Sequence, residues 1–212
     1  MDKFTTRFIH KHLANLKICR NFVNGIKTSN AMNHFIKSDR TDEMAYRAML
    51  QEAHEGNLIK IRKGVYGTID SLTGGMIDIE RIIPGGIVCL YSAWHIYQLT
   101  TQIPDAYYVA ISRKRKATVP EVLDIKLVYQ SDSLLNIGVT QEEIEGIRIN
   151  IYNRERCVCD AIKYRNKIGI DVMAEILDTY LKYNRRNLPL LAEYAKKLRV
   201  FNTLITYLNV KL

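Results

Sequence analysis

A ten-residue segment, Leu58 to Gly67, constrains the fold of this chain more than any other stretch of its sequence. It contains two runs of β-favouring residues on either side of Gly64, which supplies the positive φ that a tight turn needs. Lys60, Arg62 and Lys63 place cationic charge beside the turn. The segment therefore predicts a basic β-hairpin that can lie along a phosphate backbone.

A helix is predicted immediately before this hairpin, over Thr41 to Glu55. Thr41 is suited to the N-cap position, and Gly56 and Asn57 can terminate the helix. Arg47 and Gln51 fall on its polar face. The apolar residues recur with the spacing of one helix face and are Ala45, Tyr46, Met49, Leu50 and Ala53.

A shorter helix over about Thr28 to Ile36 is predicted to precede this one, joined to it through residues 37–40. Two helices, a short turn and a basic hairpin in this order predict a winged helix-turn-helix. We expect Arg47 and Gln51 to contact base edges. The other candidate DNA-binding residues are Ser38, Arg40, Thr41, Lys60, Arg62 and Lys63. The alternative is an ordinary amphipathic helix and surface hairpin, each with a solvated polar face.

The charge distribution also favours a polyanionic partner. The net charge is +9, and residues 1–70 carry 12 Lys and Arg against 7 Asp and Glu. Residues 71–150 carry 7 against 9, and residues 151–212 carry 12 against 6. Both ends are therefore basic, as expected of a chain that binds nucleic acid.

The domain boundary is predicted after residue 70, because the small residues of Ser71 to Gly75 are typical of a linker. Residues 1–70, which begin with a long helix over 3–25, form the winged helix-turn-helix domain in this prediction. Residues 71–212 form a mixed α/β domain with a C-terminal helical bundle, so the fold class is α+β. The elements predicted in the second domain are helices over 77–83, 91–99, 155–166, 170–183 and 188–208, the last with a break near Val200, and strands over 106–112, 124–130 and 146–152.

No membrane, disulfide or metal site is predicted. No apolar run approaches the length of a spanning helix, and Met1 to Phe4 begins no signal-peptide core, so we expect a cytoplasmic protein. The cysteines are too scattered for a disulfide framework, and Cys157 and Cys159 point to different faces of a helix. We expect reduced thiols, no cofactor and no zinc.

The chain resembles the AbiEi family of bacterial antitoxins, which belong to type IV toxin–antitoxin and abortive-infection systems. The resemblance covers most of residues 28–185. It is carried by the wing with Arg62 to Tyr66, by Glu155 to Asp160 leading into Tyr164 to Gly169, and by Cys89 to Trp94 followed by Leu99, Thr100 and Pro104.

This resemblance implies a non-enzymatic protein with two functions. An N-terminal winged helix would repress its own operon by binding double-stranded operator DNA, with self-association on DNA left open. The C-terminal domain would counteract a nucleotidyltransferase-like toxin without forming a stable complex with it, in defence against phage.

Further cations of the second domain form a secondary set of candidate DNA-binding residues. Three of them, Arg113, Lys114 and Arg115, follow a predicted strand. The other three, Arg156, Lys163 and Lys167, share one side of a predicted helix through their spacing. A solvated helix on which Asp160 pairs with Arg156 or Lys163 is an equally good interpretation.

Two other classes of function remain open. Asp105, Asp124 and Lys126 fit the loose pattern of a Mg²⁺-dependent restriction-type nuclease, in which two carboxylates hold the metal and a lysine steadies developing charge. The other is an interaction protein that never binds DNA. Incubation with plasmid and Mg²⁺ tests the first, and a gel shift on the chain's own promoter tests the second.

Overall fold

The computed structural model describes residues 35–37, 41–68, 77–121 and 123–211. Helices and strands are mixed along this part of the chain, and the strands form two separate sheets. The chain divides into two compact units, residues 1–73 and 74–212. No helix in the described residues is long and apolar enough to cross a lipid bilayer.

The described residues of the first unit, 35–37 and 41–68, form one helix and a three-stranded antiparallel sheet of order β1-β3-β2. Its elements are β1 (Phe35–Lys37), α1 (Glu43–His54), β2 (Leu58–Arg62) and β3 (Val65–Thr68). The helix α1 confirms the predicted one to within two residues at its start. Asp42, and not Thr41, is the N-cap, because its side chain accepts a hydrogen bond from the Ala45 backbone N–H at 3.0 Å.

The prediction of a helix over Thr28 to Ile36 is wrong at its end. Phe35 and Ile36 lie in β1, where they pair with Gly67 and Tyr66 of β3. These β-favouring residues complete the hydrogen bonding of a strand that would otherwise be a free edge. The rest of that predicted helix, the long helix over 3–25 and the linker over 71–75 lie outside the described residues.

The predicted hairpin is confirmed. β2 and β3 are joined through Lys63 and Gly64, and Gly64 has a φ of +77°. The register shifts between Lys60 and Arg62, which inserts an extra residue into β2. Ile61, at this bulge, is buried, whereas Lys60 before it is exposed.

A small apolar cluster holds the hairpin against α1. Met49, from the middle of the helix, packs with Leu58 of β2 and Tyr66 of β3, and all three are buried. Tyr46 and Ala53, one turn before and after Met49, pack on the same cluster. The helix and the hairpin are therefore one structural body, held through side chains that the helical periodicity places on a single face.

The second unit has a five-stranded mixed sheet of order β6-β5-β4-β8-β7. The pairs β5–β6 and β4–β8 are parallel, whereas β4–β5 and β7–β8 are antiparallel. Its elements are α2 (Ile79–Ile82), β4 (Ile87–Val88), α3 (Leu90–Ile96), β5 (Tyr107–Ser112), β6 (Ile125–Gln130), α4 (Asp132–Leu135), β7 (Val139–Ile144), β8 (Ile147–Tyr152), α5 (Arg154–Ile168), α6 (Ile170–Lys182), α7 (Leu188–Lys197) and α8 (Phe201–Lys211).

The three predicted strands and the predicted helices of this unit are confirmed, with ends shifted by a few residues. The predicted break near Val200 separates α7 from α8. Sequence analysis missed β4, α4 and β7. The first two are short, and the four central residues of β7 are polar, so none of them has a strong apolar periodicity in sequence.

α5 is the central helix of the second unit, because α3, α6, α7 and α8 all contact it. Every residue from 155 to 162 is buried. Cys157 and Cys159 are therefore both buried although they point to different faces, and burial raises the pKa of both thiols. The Trp94 indole N–H donates to the Cys157 carbonyl at 3.0 Å and fixes α3 against α5.

Candidate nucleic-acid interface

The face of α1 opposite the apolar cluster carries the two predicted base-contacting residues. Arg47 and Gln51 are exposed and lie one turn apart, and 76% of the Arg47 side chain is accessible. The spacing of 3.6 residues per turn explains this placement, because Met49 and Ala53 take up the opposite side. Both predicted side chains can therefore reach a ligand laid along this face.

Both side chains are bonded to carboxylates of their own helix. Arg47 donates through Nη2 to Oε1 of Glu43 at 2.6 Å, and Gln51 donates through Nε2 to Oε1 of Glu55 at 2.8 Å. Glu43, Arg47, Gln51 and Glu55 follow one another at intervals of four residues. Exposed pairs of this kind contribute about 0–1 kcal/mol, so a ligand that offers better acceptors can displace the carboxylates.

Lys60 and Lys63 supply exposed positive charge on the hairpin. Lys63 stands at the turn and Lys60 lies just before the bulge. Cations at these positions suit contacts with phosphate oxygens, which add affinity without choosing a base sequence. The Arg62 side chain lies outside the described part of the chain, although its backbone belongs to β2.

Two apolar side chains on the exposed side of α1 are new to the candidate interface. Met44 is 84% exposed and Leu50 is 40% exposed. Sequence analysis assigned Leu50 to the core, and this assignment is wrong because the buried face is centred on Met49 and Ala53. A helical wheel centred on these two residues would have placed Leu50 outside. Exposed apolar groups here can contact thymine methyl groups.

The remaining predicted residues of the first unit precede α1 in the sequence. Thr41 is exposed and stands next to the N-cap of α1. Ser38 and Arg40 lie outside the described residues. Of the predicted DNA-binding residues, the structure therefore brings four together in one compact unit: Arg47, Gln51, Lys60 and Lys63.

The structure corrects the secondary set of cations at Arg156, which is fully buried. Its Nε donates to Oδ1 of Asp160 at 3.0 Å, and its guanidinium lies over the ring of Tyr152, 4.3 Å from the centroid. Nη1 donates to the carbonyls of Leu134 and Ile137 at 2.7 and 3.0 Å. A side chain held in this way cannot contact DNA, and it instead satisfies carbonyl groups at the end of α4.

The segment that covers Arg156 is bonded to the start of α5 in other places. The Tyr152 hydroxyl donates to the Leu135 carbonyl at 2.9 Å, and the Asn153 backbone N–H donates to the Gly138 carbonyl at 2.7 Å. A Cβ on Gly138 would come within 2.6 Å of the Arg156 Cβ, so the backbone lies directly on that side chain. Burial raises the pKa of the Asp160 carboxyl, and the guanidinium of Arg156 offsets part of this rise.

Two cations of the helical part of the secondary set remain at the surface. Lys167 is exposed and Lys163 is half-buried, and their ammonium groups lie 6.0 and 5.8 Å from the ring centroid of Tyr164. Burial lowers the pKa of the Lys163 ammonium below its usual value. The carboxylate of Asp160 raises this pKa, and the charges of Arg156 and Arg113 lower it, so Arg113 and Lys163 lie within electrostatic range of each other.

The loop after β5 contributes fewer available cations than its sequence suggests. Arg115 is half-buried and donates to the Pro84 carbonyl. Lys114 pairs with Asp132 at 2.8 Å, and 86% of its side chain is accessible. Arg113 is exposed. Of the secondary set, Arg113, Lys114, Lys163 and Lys167 thus lie at the surface.

The residues of the nuclease alternative come together only in part. Asp105 and Lys126 form an exposed ion pair of 2.5 Å, and the Tyr108 hydroxyl donates to Asp105 at 3.0 Å. The hydrogen bond from Lys126 lowers the pKa of Asp105 most, and the hydrogen bond from Tyr108 lowers it further. Asp124 is exposed, and its backbone carbonyl accepts from the Tyr107 N–H at 2.7 Å. Lys126 therefore neutralises a carboxylate that a metal ion would need.

No cluster of three or more His, Cys, Asp and Glu side chains suited to a metal ion occurs in the described residues. Neither a scan against models of known protein families nor a search of curated proteins found a match for this chain.

Proposed function

We propose that this chain is a winged helix-turn-helix repressor that binds operator DNA of its own operon. The observation that carries the proposal is the joining of α1 to a cationic hairpin through Met49, Leu58 and Tyr66. In a winged helix, the part that contacts DNA is a helix with an exposed polar face followed directly by such a hairpin, and this likeness supports the proposal.

The chemistry of the exposed side chains suits two kinds of contact with a duplex. Arg47 can form two hydrogen bonds with guanine and Gln51 can form two with adenine, each contributing about 1–3 kcal/mol of discrimination. Lys60 and Lys63 would hold phosphate groups on the flanking backbone and set the register of the helix in the major groove.

Cations of the second unit extend the proposed contact with phosphate. Arg113 and Lys163 lie within electrostatic range of each other, and Lys167 is one turn further along α5. If six to ten phosphates are neutralised in all, the slope of log affinity against log salt should be about −5 to −9. A slope near zero would contradict DNA binding through these residues.

The second half of the proposal is that the chain is an antitoxin of a type IV system acting in phage defence. Its support is the resemblance in sequence, which includes Glu155 to Asp160 and Tyr164 to Gly169. In this proposal residues 71–212 counteract a nucleotidyltransferase-like toxin without a stable complex. A toxin reading frame beside this gene would supply the partner for the test.

A gel shift of the full-length chain on duplexes tiled across its own promoter tests DNA binding. We expect one duplex to be bound in preference to a scrambled duplex of the same composition at the same salt concentration. Arg47→Ala should remove the preference, whereas Lys197→Gln on α7 should leave it intact. Equal binding to every duplex would overturn the operator assignment.

Co-expression of the full-length chain with the adjacent toxin tests the antitoxin function. Wild-type chain should restore growth. The Arg47→Ala, Lys60→Gln, Lys63→Gln triple variant should restore growth as well while losing repression of a promoter–reporter fusion. Loss of both effects in this variant, with wild-type amounts of folded protein, would argue against the division of functions.

A further inference from the structure

The exposed face of α1 carries a polar ridge whose two ends are acidic. The ridge consists of Glu43, Arg47, Gln51 and Glu55, each one turn from the next. Its central members, the two proposed base-contacting side chains, each donate a hydrogen bond to the carboxylate at the nearer end. No cation on this ridge is therefore without an anionic partner.

The formal charge of the ridge is negative, since it has two carboxylates and one guanidinium. Glu43 is also the first residue of α1, where the partial positive charge of the helix would otherwise attract a phosphate group. A duplex approaching this helix meets repulsion from Glu43 and Glu55, whereas the hairpin lysines attract it. The helix and the hairpin thus act on the phosphate backbone with opposite sign.

We infer that Glu43 and Glu55 are specificity-determining residues of the DNA binding proposed above, on which this inference rests. On a duplex of the wrong sequence, Arg47 and Gln51 stay bonded to the carboxylates and the negative ridge weakens binding. On the operator, acceptors on the base edges replace the carboxylates. The freed carboxylates then accept from cytosine amino groups, which is the base contact that glutamate makes.

The weakness of the pairs within the helix makes this exchange favourable on the right sequence. The Arg47 and Glu43 side chains are 76% and 75% exposed, so water competes for both groups. A guanine edge offers two acceptors to one guanidinium, and Glu43 offers one contact at 2.6 Å. The carboxylates therefore disfavour wrong sequences more strongly than they disfavour the operator.

The neighbouring acidic residues of α1 have other roles. Asp42 caps the helix by accepting from the Ala45 N–H at 3.0 Å. Glu52 is half-buried and accepts from Asn57 Nδ2 at 2.9 Å, close to the C-terminal end of the helix. Nine residues separate it from Glu43, which places it on the opposite side of the helix. Glu52 is therefore the matched control for Glu43, with the same change of charge on the other side of the helix from that residue.

The test measures dissociation constants of the full-length chain for two duplexes at one salt concentration. One duplex is the promoter segment located by footprinting, and the other is its scrambled counterpart. Glu43→Gln and Glu55→Gln should each strengthen binding to the scrambled duplex about tenfold and change operator binding less than about threefold. The ratio of the two constants should therefore fall in both variants, while Glu52→Gln leaves it unchanged.

Melting curves keep the comparison free of folding effects. Glu55→Gln removes a negative charge from the C-terminal end of α1, which favours the helix, so this variant remains informative if Glu43→Gln is less stable. If the wild-type chain prefers its promoter but the ratio of the two dissociation constants is unaltered in Glu43→Gln and in Glu55→Gln, this inference alone is overturned. An equal fall in Glu52→Gln overturns it too. A wild-type chain without any preference overturns the proposed function.

Discussion

Arg156 and Asp160, one turn apart on α5, form an ion pair of 3.0 Å whose side chains are 0% and 2% exposed. The same spacing occurs in Glu193 and Lys197 on α7, but there both side chains are about half exposed. Two pairs that look alike in sequence therefore differ in their surroundings, and the consequences of breaking them should differ as well.

Arg156→Met should destabilise the second unit by about 3–5 kcal/mol, because it leaves a buried carboxyl without its partner. It also leaves the Leu134 and Ile137 carbonyls without their donor, so adding Asp160→Leu should recover only part of the loss. Lys197→Met should change the urea midpoint little, since its pair is solvated. Urea unfolding followed by circular dichroism measures all of these variants. An Arg156→Met variant as stable as wild type would show that the buried pair does not stabilise the fold.

Lys60 and Lys63 should add affinity without choosing a sequence. The double variant Lys60→Gln, Lys63→Gln should weaken binding to operator and scrambled duplexes by the same factor, and should reduce the salt slope by about two. Fluorescence anisotropy at a series of salt concentrations measures both quantities. Lys197→Gln, which removes one charge from α7, is the control and should keep the wild-type slope. A double variant with an unchanged slope would exclude the hairpin from phosphate contact.

Arg47 should select a base and not only supply charge. Arg47→Lys keeps the charge but loses the planar fork that forms two hydrogen bonds with guanine. It should therefore cost about 1–3 kcal/mol on the operator and almost nothing on the scrambled duplex. Binding titrations with both duplexes separate these effects. If Arg47→Lys binds the operator as wild type does, Arg47 contacts phosphate and another side chain selects the base.

Glu175 should make part of the stability of the second unit depend on pH. Partial burial favours a higher pKa, but hydrogen bonds from the Thr100 hydroxyl at 2.7 Å and the Thr101 N–H at 2.8 Å outweigh it and lower the pKa. Because the pKa of Glu175 is lower in the folded state, the charged carboxylate stabilises the fold at pH values above the ordinary glutamate pKa. This stabilisation is lost as the pH falls through the pKa of the folded state.

Glu175→Gln should accordingly lower the stability near pH 7, and its difference from wild type should shrink as the pH falls below about 4.3. Thermal melts between pH 3 and pH 7 follow this difference. Glu143→Gln on β7 controls for the loss of an exposed carboxylate. A difference in stability between Glu175→Gln and wild type that stays constant from pH 3 to pH 7 would mean that the hydrogen bonds do not favour the charged form of Glu175.

Local patterns accounted for much of the first unit. The apolar spacing of α1 predicted that Met49 and Ala53 face the core, and Gly64 predicted the position of the turn. The strand β1 was not predicted because three residues are too few to show a periodic pattern. Phe35 and Ile36 form a strand through their pairing with β3, which is distant in sequence. The prediction for Leu50 was wrong because this residue lies at the edge of the apolar face of α1. Whether such a residue is buried depends on which other elements pack against the helix.

The sequence by itself determined where most helices and strands of the second unit lie and that α1 is followed by a cationic hairpin, because periodicity and turn chemistry act over a few residues. It did not determine which cations reach solvent. Arg156, Lys163 and Lys167 share one side of α5 in sequence, yet Leu134 to Gly138 cover only the first. Only the tertiary structure decided this, because burial depends on chain segments that are distant in sequence and close in space.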